Sequence, residues 1–297
     1  MARWATARVS RFLGIDLAWG LGGPHPLTGR ARRPNETGLC LLDDRGVILE
    51  AGWVRGVEAV AEWVAEHERP GDVIAIDAPL IVVNETGMRQ AERAVGRGYG
   101  RWKVAANASS RTLAARAGEV LLARLGERDI RYTDGTSPPP HGTTVAFECY
   151  PYTTLVGAPE LGYEVERPRY KRLIPTIPRD EARARRAVAA DDLLQRMARM
   201  ADARPPLRMD SHPETARLLD EESPLRDAAY KHREDLLDAV LCAWTAALWL
   251  DDAIGRRGAP GEHVQILGAA GSATPGEVDA QGRRATIVAP ARPEQRR

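Results

Sequence analysis

The chain of 297 residues has few cysteines and no long run of apolar residues. Its cysteines, Cys40, Cys149 and Cys242, are odd in number and far apart. This argues against a disulfide framework or a zinc site, and for a reducing cytoplasm. No stretch approaches the roughly 20 apolar residues of a membrane helix, and the first residues lack the apolar core of a secretion signal. The sequence therefore predicts a cytoplasmic protein without a membrane partner.

The chain also lacks a large net charge, which is only +1. Basic residues are nevertheless concentrated in two segments. Arg89 to Arg116 holds seven basic residues and one acid, and Arg167 to Arg186 holds eight and two. Such local clusters can neutralise phosphates even in a near-neutral protein. They are equally expected on solvated helix faces of an arginine-rich chain.

Several common catalytic motifs are absent. The sequence has no Walker phosphate-binding loop, no Gly-Xaa-Ser-Xaa-Gly elbow and no His-Glu-Xaa-Xaa-His zinc motif. It has instead a set of acidic residues at the ends of its most apolar segments.

Asp16 and Asp77 each end an apolar run, and Glu148 follows a third. Asp235 and Asp238 lie one turn apart in a predicted helix, on the side away from its main apolar stripe. A carboxylate buried alone destabilises a fold, and carboxylates held close together repel one another. A divalent cation removes both costs, so the pattern predicts a metal site.

Hard oxygen ligands without a Cys or His cluster favour Mg²⁺ or Mn²⁺ over zinc. Two such ions about 4 Å apart would support hydrolysis. Each acid also has a structural interpretation. Asp16 could cap a turn, Asp77 could form an Asx-turn before proline, Glu148 could pair with an arginine, and Asp235 could complement a helix dipole.

The predicted elements begin with strands over 11–16, 38–43 and 47–54, a helix over 57–67 and a strand over 73–78. This order indicates a mixed sheet with helices packed on it. We predict two helical pieces over 91–95 and 113–125, broken by glycines, then a strand over 143–149. Later helices are predicted over 180–201, 214–220 and 232–250. A single domain, 1–297, is expected, with a core over 11–250 and an extension, 251–297, whose segments 264–267 and 285–288 could pair as edge strands.

Four motifs together resemble a known family. They are Ile15-Asp16-Leu17-Ala18, Ala75-Ile76-Asp77-Ala78-Pro79-Leu80, Glu148-Cys149-Tyr150-Pro151 and Asp235-Leu236-Leu237-Asp238-Ala239. They are similar to the signatures of domain-of-unknown-function family 429, regarded as predicted nucleases of the ribonuclease H-like fold. The resemblance implies an α/β mixed sheet of three antiparallel strands followed by parallel strands, flanked by helices.

The resemblance also implies a metal-dependent nuclease that hydrolyses phosphodiester bonds of DNA or RNA with Mg²⁺ or Mn²⁺. The implied catalytic metal ligands are Asp16, Asp77, Glu148 and Asp238, with Asp235 as a further candidate on the helix. The implied phosphate contacts are Arg89, Arg93, Arg101 and Lys103. Two alternatives remain. An ATP-dependent phosphotransferase of related fold would need a hydroxyl-rich loop after Asp16, and a non-catalytic binding module would need no acids.

Overall fold

The structure, a computed structural model, describes residues 10–24, 28–29, 31–112, 116–269 and 276–296. The strands in these ranges are β1 (Arg11–Asp16), β2 (Gly23–Pro24), β3 (Ala31–Arg32), β4 (Glu36–Asp43), β5 (Ile48–Arg55), β6 (Val73–Ile76), β7 (Arg131–Tyr132), β8 (Val145–Glu148), β9 (Val264–Leu267) and β10 (Ile287–Pro290). The α-helices in them are α1 (Val57–His67), α2 (Gln90–Tyr99), α3 (Ala117–Gly126), α4 (Pro151–Gly157), α5 (Arg179–Ala198), α6 (Pro213–Asp220) and α7 (Asp227–Ala253).

Six strands form the main sheet in the order β5-β4-β1-β6-β8-β7. β4 runs antiparallel to both β5 and β1, whereas β1, β6, β8 and β7 run parallel to one another. The predicted α/β architecture is therefore confirmed, and its arrangement is that expected of a ribonuclease H-like fold. β7 was not anticipated, because two residues carry no readable alternation.

Helices cover both faces of the sheet. α1 and α3 pack on one face together with Leu13 and Ile15 of β1. α2, α4, α5, α6 and α7 pack on the other together with Phe12. Alternate side chains of a strand point to opposite faces, so the interiors of the buried central strands are apolar on both faces, and charged residues occur only at their ends.

Helix α7 lies directly on the sheet because two strand glycines, which lack a Cβ atom, leave room for its backbone. A Cβ on Gly14 of β1 would lie 2.0 Å from the Ala239 carbonyl oxygen of α7. A Cβ on Gly38 of β4 would lie 2.0 Å from the Asp235 carbonyl oxygen. Any larger residue at either position would push the helix away. These two glycines therefore set the height of α7 above the strand ends.

The predicted helix over 232–250 is confirmed but is longer and more deeply buried than its pattern indicates. Every residue from Leu236 to Leu250 is buried, including the face that carries Asp238. The reason is that α7 contacts the sheet on one side and α4 and β10 on another. No helix in the described ranges is long and apolar enough to cross a membrane.

Two local expectations are corrected. The glycines predicted to break the helix near 96 lie inside α2, where a Cβ on Gly98 would come within 3.2 Å of the Gln295 carbonyl oxygen. The helix predicted over 113–125 begins at Ala117 and ends at Gly126, with Arg116 as its N-cap residue, and 113–115 lie outside the described residues. The amino-terminal segment, 1–9, also lies outside them.

The segments predicted to pair near the carboxyl terminus do so. β9 and β10 form an antiparallel two-stranded sheet, with Ile287 opposite Leu267. It is a separate sheet, joined to the main one by an isolated bridge between Val288 and Cys149. Val288 is fully buried. The extension therefore completes the core.

Candidate functional site

Two carboxylates lie side by side at the ends of the central parallel strands. Asp16 is the last residue of β1, and Asp77 follows β6, with which β1 pairs in register. The Asp77 amide donates to the Ile15 carbonyl at 2.9 Å and continues the ladder. Because side chains alternate along a strand, both carboxylates point to the face covered by α7.

Helix α7 brings further carboxylates to the same place. Asp235 lies close enough to Asp16 for the Asp16 side chain to raise the pKa of the Asp235 carboxyl group. Asp238 is fully buried, and its Oδ1 accepts a hydrogen bond of 2.6 Å from the Tyr170 hydroxyl. The two helix candidates therefore both join the group, as does the neighbouring Glu234. A cavity of about 380 Å³ opens beside it.

Two lysines lie among these carboxylates. Lys171 Nζ is 2.6 Å from Asp238 Oδ2 and 3.7 Å from Asp77 Oδ2. Lys231, near the start of α7, forms a salt bridge with Asp235 and another of 3.0 Å with the adjacent glutamate. The carboxylates that share these two cations are Asp16, Asp77, Glu234, Asp235 and Asp238. When all are ionised, the group carries an excess of negative charge.

Burial and the neighbouring carboxylates raise the pKa values of the helix aspartates. Burial raises the pKa of Asp235 to about 9, and the Asp16 carboxylate adds to the rise while Lys231 opposes it. Burial likewise raises the pKa of Asp238 to about 7, against the opposing charge of Lys171. Carboxyl groups that hold protons near neutral pH are typical of functional sites.

The same balance holds on the sheet side of the cavity. Burial raises the pKa of Asp77 well above its ordinary value, opposed by Lys171 and reinforced by Asp16 and Asp238. Burial favours the neutral form of Lys171, but the carboxylates of Asp238 and Asp77 outweigh it and raise the pKa of Lys171. Lys171 is therefore a charged counter-ion inside the group.

Within the described residues, no three His, Cys, Asp or Glu side chains stand in an arrangement that would hold a metal ion as they are. The ammonium groups of Lys171 and Lys231 stand between the acids. The donors themselves suit a hard cation, since all are carboxylate oxygens. Asp238 Oδ2 is buried without a hydrogen-bond partner and has only the ion contact with Lys171. The donor chemistry therefore suits Mg²⁺ or Mn²⁺, while in this arrangement the two ammonium groups pair with the carboxylates.

The family comparison agrees with the motifs that build this site. A family model described as protein of unknown function, DUF429, matches residues 14–263, which include all five carboxylates. The chain belongs to the DUF429 family. No curated protein matches it.

Glu148 does not join the carboxylate group of this DUF429 protein. It pairs in register with Ile76, so its side chain points to the face opposite that of Asp77. Arg89 binds it through two hydrogen bonds, of 2.5 and 2.8 Å, and the Leu80 amide donates to it at 3.0 Å. The arginine-partner interpretation describes this residue, and its assignment as a metal ligand is corrected.

The four predicted phosphate contacts differ in their exposure and in whether they line the cavity. Arg89 is only 1% exposed and is held by Glu148 and Glu92, so it is unavailable to a ligand and that prediction is wrong. Arg93 is half exposed and lies 3.7 Å from Glu277. Arg101 is exposed and lies over the Trp102 ring. Neither lines the cavity. Lys103 does, and it also pairs with Glu166.

Sequence reasoning missed Lys171 and Tyr170, which hold Asp238. Both lie in the irregular segment between helices α4 and α5, inside the Arg167–Arg186 basic cluster. The basic cluster can be recognised in the sequence, but the spacing of its residues does not indicate which side chain points toward the carboxylates. Glu234 was also missed, although it directly precedes Asp235.

Proposed function

We propose that this protein is a metal-dependent nuclease that hydrolyses phosphodiester bonds of nucleic acid. The observation that supports this most is the convergence of Asp16 and Asp77, from neighbouring strand ends, with Asp235 and Asp238 of α7. Bound Mg²⁺ or Mn²⁺ would supply an activated water and stabilise the leaving oxygen. These four aspartates would hold the ions, without Glu148.

The scaffold gives each ligand a fixed position. Asp16 and Asp77 have short side chains on buried strands, so their oxygens vary little in place. Tyr170 holds one oxygen of Asp238 and leaves the other without a hydrogen bond. Ordered ligands of this kind lower the cost of assembling a site.

In the metal-free protein, two lysines and a bound proton offset part of the negative charge of the carboxylates. Lys171 and Lys231 neutralise part of the carboxylate group. Asp235 holds a proton at neutral pH because its pKa is raised to about 9. Cation binding favours the ionised carboxylates, so loading would release protons and free the lysines. We also propose a cytoplasmic location, since the three cysteines are buried and free.

The test is cleavage of labelled single-stranded, duplex and hybrid nucleic acids with Mg²⁺ or Mn²⁺ and with EDTA. We expect metal-dependent cutting by the wild type. Asp16→Asn and Asp77→Asn should each lower the rate by more than about 100-fold, because the metal interaction contributes several kcal/mol. The matched control is Asp210→Asn, which changes an exposed aspartate away from the cavity.

Wild-type rates in both cavity variants would refute the proposal. ATP turnover without strand cleavage would instead favour the phosphotransferase alternative. Circular dichroism of each variant establishes that a lost activity is not a lost fold.

A further inference from the structure

The cavity beside the carboxylates has a second set of lining groups that the proposed hydrolysis does not use. They are cationic, aromatic and amide side chains, namely Trp19, Lys103, Asn107, Tyr150, Tyr152, Arg167 and Arg172. Acidic side chains and cationic side chains therefore line the same cavity.

Two of these cations have no acidic partner. Arg167 Nε donates to the Lys103 carbonyl at 2.8 Å, and its guanidinium lies 4.3 Å from the centre of the Tyr152 ring. Arg172 donates to Asn107 Oδ1 at 2.8 Å. Neither forms a salt bridge with any residue that the structure describes. Neutral partners thus orient both guanidinium groups, and no salt bridge among the described residues occupies either of them, an arrangement suited to phosphate oxygens.

A third group in the cavity lacks a partner. The Tyr152 hydroxyl is buried and makes no hydrogen bond, and the residue is only 6% exposed. A buried hydroxyl without a partner costs free energy. The faces of its ring are taken by Arg167 and, at 5.2 Å, by Lys171. The ring face of Tyr152 therefore contacts these two cations and is not available for stacking.

Two aromatic side chains remain for stacking. Trp19 and Tyr150 are both partly exposed and both line the cavity. The Tyr150 hydroxyl is fixed by the Ala105 carbonyl at 3.1 Å, and the Trp19 indole N–H faces the Asp77 carbonyl oxygen at 3.4 Å. Aromatic rings beside cations are how proteins bind single strands, since every base offers a face for stacking.

The volume of the cavity limits the size of the ligand that it can hold. About 380 Å³ is at the lower end of the range for small-molecule sites. A stacked duplex presents its bases inside two backbones, so a base reaches a pocket of this size only after leaving the stack.

We propose that the cavity binds one nucleotide unit of a single strand, with its phosphate at Arg167 and Arg172 and its base against Trp19 and Tyr150. The inference rests on the proposed nuclease function and specifies its substrate as single-stranded.

The test measures binding, separately from cleavage. A short fluorescein-labelled single strand with phosphorothioate linkages is titrated with the full-length protein in Mg²⁺, and anisotropy is read. Arg172→Ala and Arg167→Ala should each weaken binding by about tenfold or more, the loss of one charge-assisted contact. Arg169→Ala should change binding less than about twofold, because this exposed arginine of the same segment does not line the cavity.

Competition with unlabelled duplex, single strand and mononucleotide identifies the source of the ligand. The single strand should compete best. A mononucleotide that competes as well as the single strand would refute the proposal that the ligand is a strand. A duplex that competes as well as the single strand would refute the preference for single strands. Because Arg172 is exposed, its alanine variant should fold, and unchanged binding by that variant refutes the phosphate site.

The two proposals fail in different ways. Binding that depends on both arginines, without any cleavage of an ordinary strand, would refute the nuclease and leave the binding site. Cleavage that is lost in Asp16→Asn, with binding insensitive to both arginines, would refute the binding site and leave the nuclease.

Discussion

At the scale of single residues, the site is a balance between carboxylates and two lysines. Asp77 and Asp238 both contact Lys171, and the neighbouring Asp16 raises the pKa of Asp235. A bound cation would relieve this repulsion, and so would removal of one acid. Stability in the absence of metal therefore reports the charge balance directly.

The first residue-scale prediction concerns Asp235. Its carboxyl has an ordinary pKa of 3.8 and a folded-state pKa of about 9. Between these values the native state holds a proton that the unfolded state has lost, so metal-free stability falls as pH rises from about 4 to about 9. Asp235→Asn removes this loss and should be more stable than the wild type near pH 8 by more than about 1.4 kcal/mol, which corresponds to one pKa unit.

Urea unfolding in EDTA at several pH values measures this effect. The gain should vanish near pH 3, below the ordinary pKa of 3.8, where both states hold the proton. Asp210→Asn, at an exposed site, should give no gain at either pH. A variant less stable than the wild type near pH 8 would show that the Lys231 pair, and not repulsion, dominates.

The second residue-scale prediction concerns Lys171. Lys171→Met leaves the buried Asp238 and its neighbour Asp77 without a counter-ion. The metal-free protein should lose about 3 kcal/mol near pH 8, the usual cost of breaking a buried pair. Mn²⁺ should then raise the melting temperature of the variant more than that of the wild type. Lys103→Met, which breaks the exposed pair with Glu166, should cost under about 1 kcal/mol.

At the scale of elements, close packing of α7 on β1 and β4 brings the helix acids to the strand acids. The strands, most helices and the apolar character of α7 could be predicted, because strand alternation and helical spacing are local patterns. The face of the sheet to which the Glu148 side chain points could not be predicted. Whether the residue at the end of β8 faces α7 depends on register with β6, and there Cys149, one residue later, takes the position next to Asp77.

The element-scale prediction tests this packing. Gly38→Ala places a Cβ against the backbone of Asp235, so α7 must move outward. The fold should lose about 1–3 kcal/mol, as other overpacked cores do. Metal-dependent cleavage should fall more than the folded fraction does, because two ligands move with the helix. Gly52→Ala in the adjacent strand β5, where nothing lies within 4 Å of the new Cβ, should change neither quantity appreciably.

At the scale of the whole molecule, the carboxyl-terminal segment supports the layer that contains the site. β10 contacts α4 and α7, and the Tyr99 hydroxyl of α2 donates to the Pro290 carbonyl at 2.6 Å. The Gln295 side chain reaches the Val156 carbonyl at 3.0 Å. The segment therefore joins helices from distant parts of the chain on the same face of the sheet.

The whole-molecule prediction is that a change in this segment unfolds the entire protein. Ile287→Ala, at a residue 2% exposed, should cost about 2–5 kcal/mol. Unfolding should remain a single transition, followed by tryptophan fluorescence and by circular dichroism. Val278→Ala, at an exposed position nearby, should cost under about 0.5 kcal/mol. A loss of similarly small size at Ile287 would mean that the segment is peripheral.

The sequence by itself determined the fold class, the strand-end positions of Asp16 and Asp77, and the pairing of Asp235 with Asp238 on one helix. These follow from local periodicity, which each segment carries alone. Only the tertiary structure decided that Glu148 faces Arg89, that Lys171 enters the acidic group, and that Arg167 and Arg172 line the cavity without acidic partners. Those facts depend on strand register and on how an irregular segment packs, which no local pattern in this chain encodes.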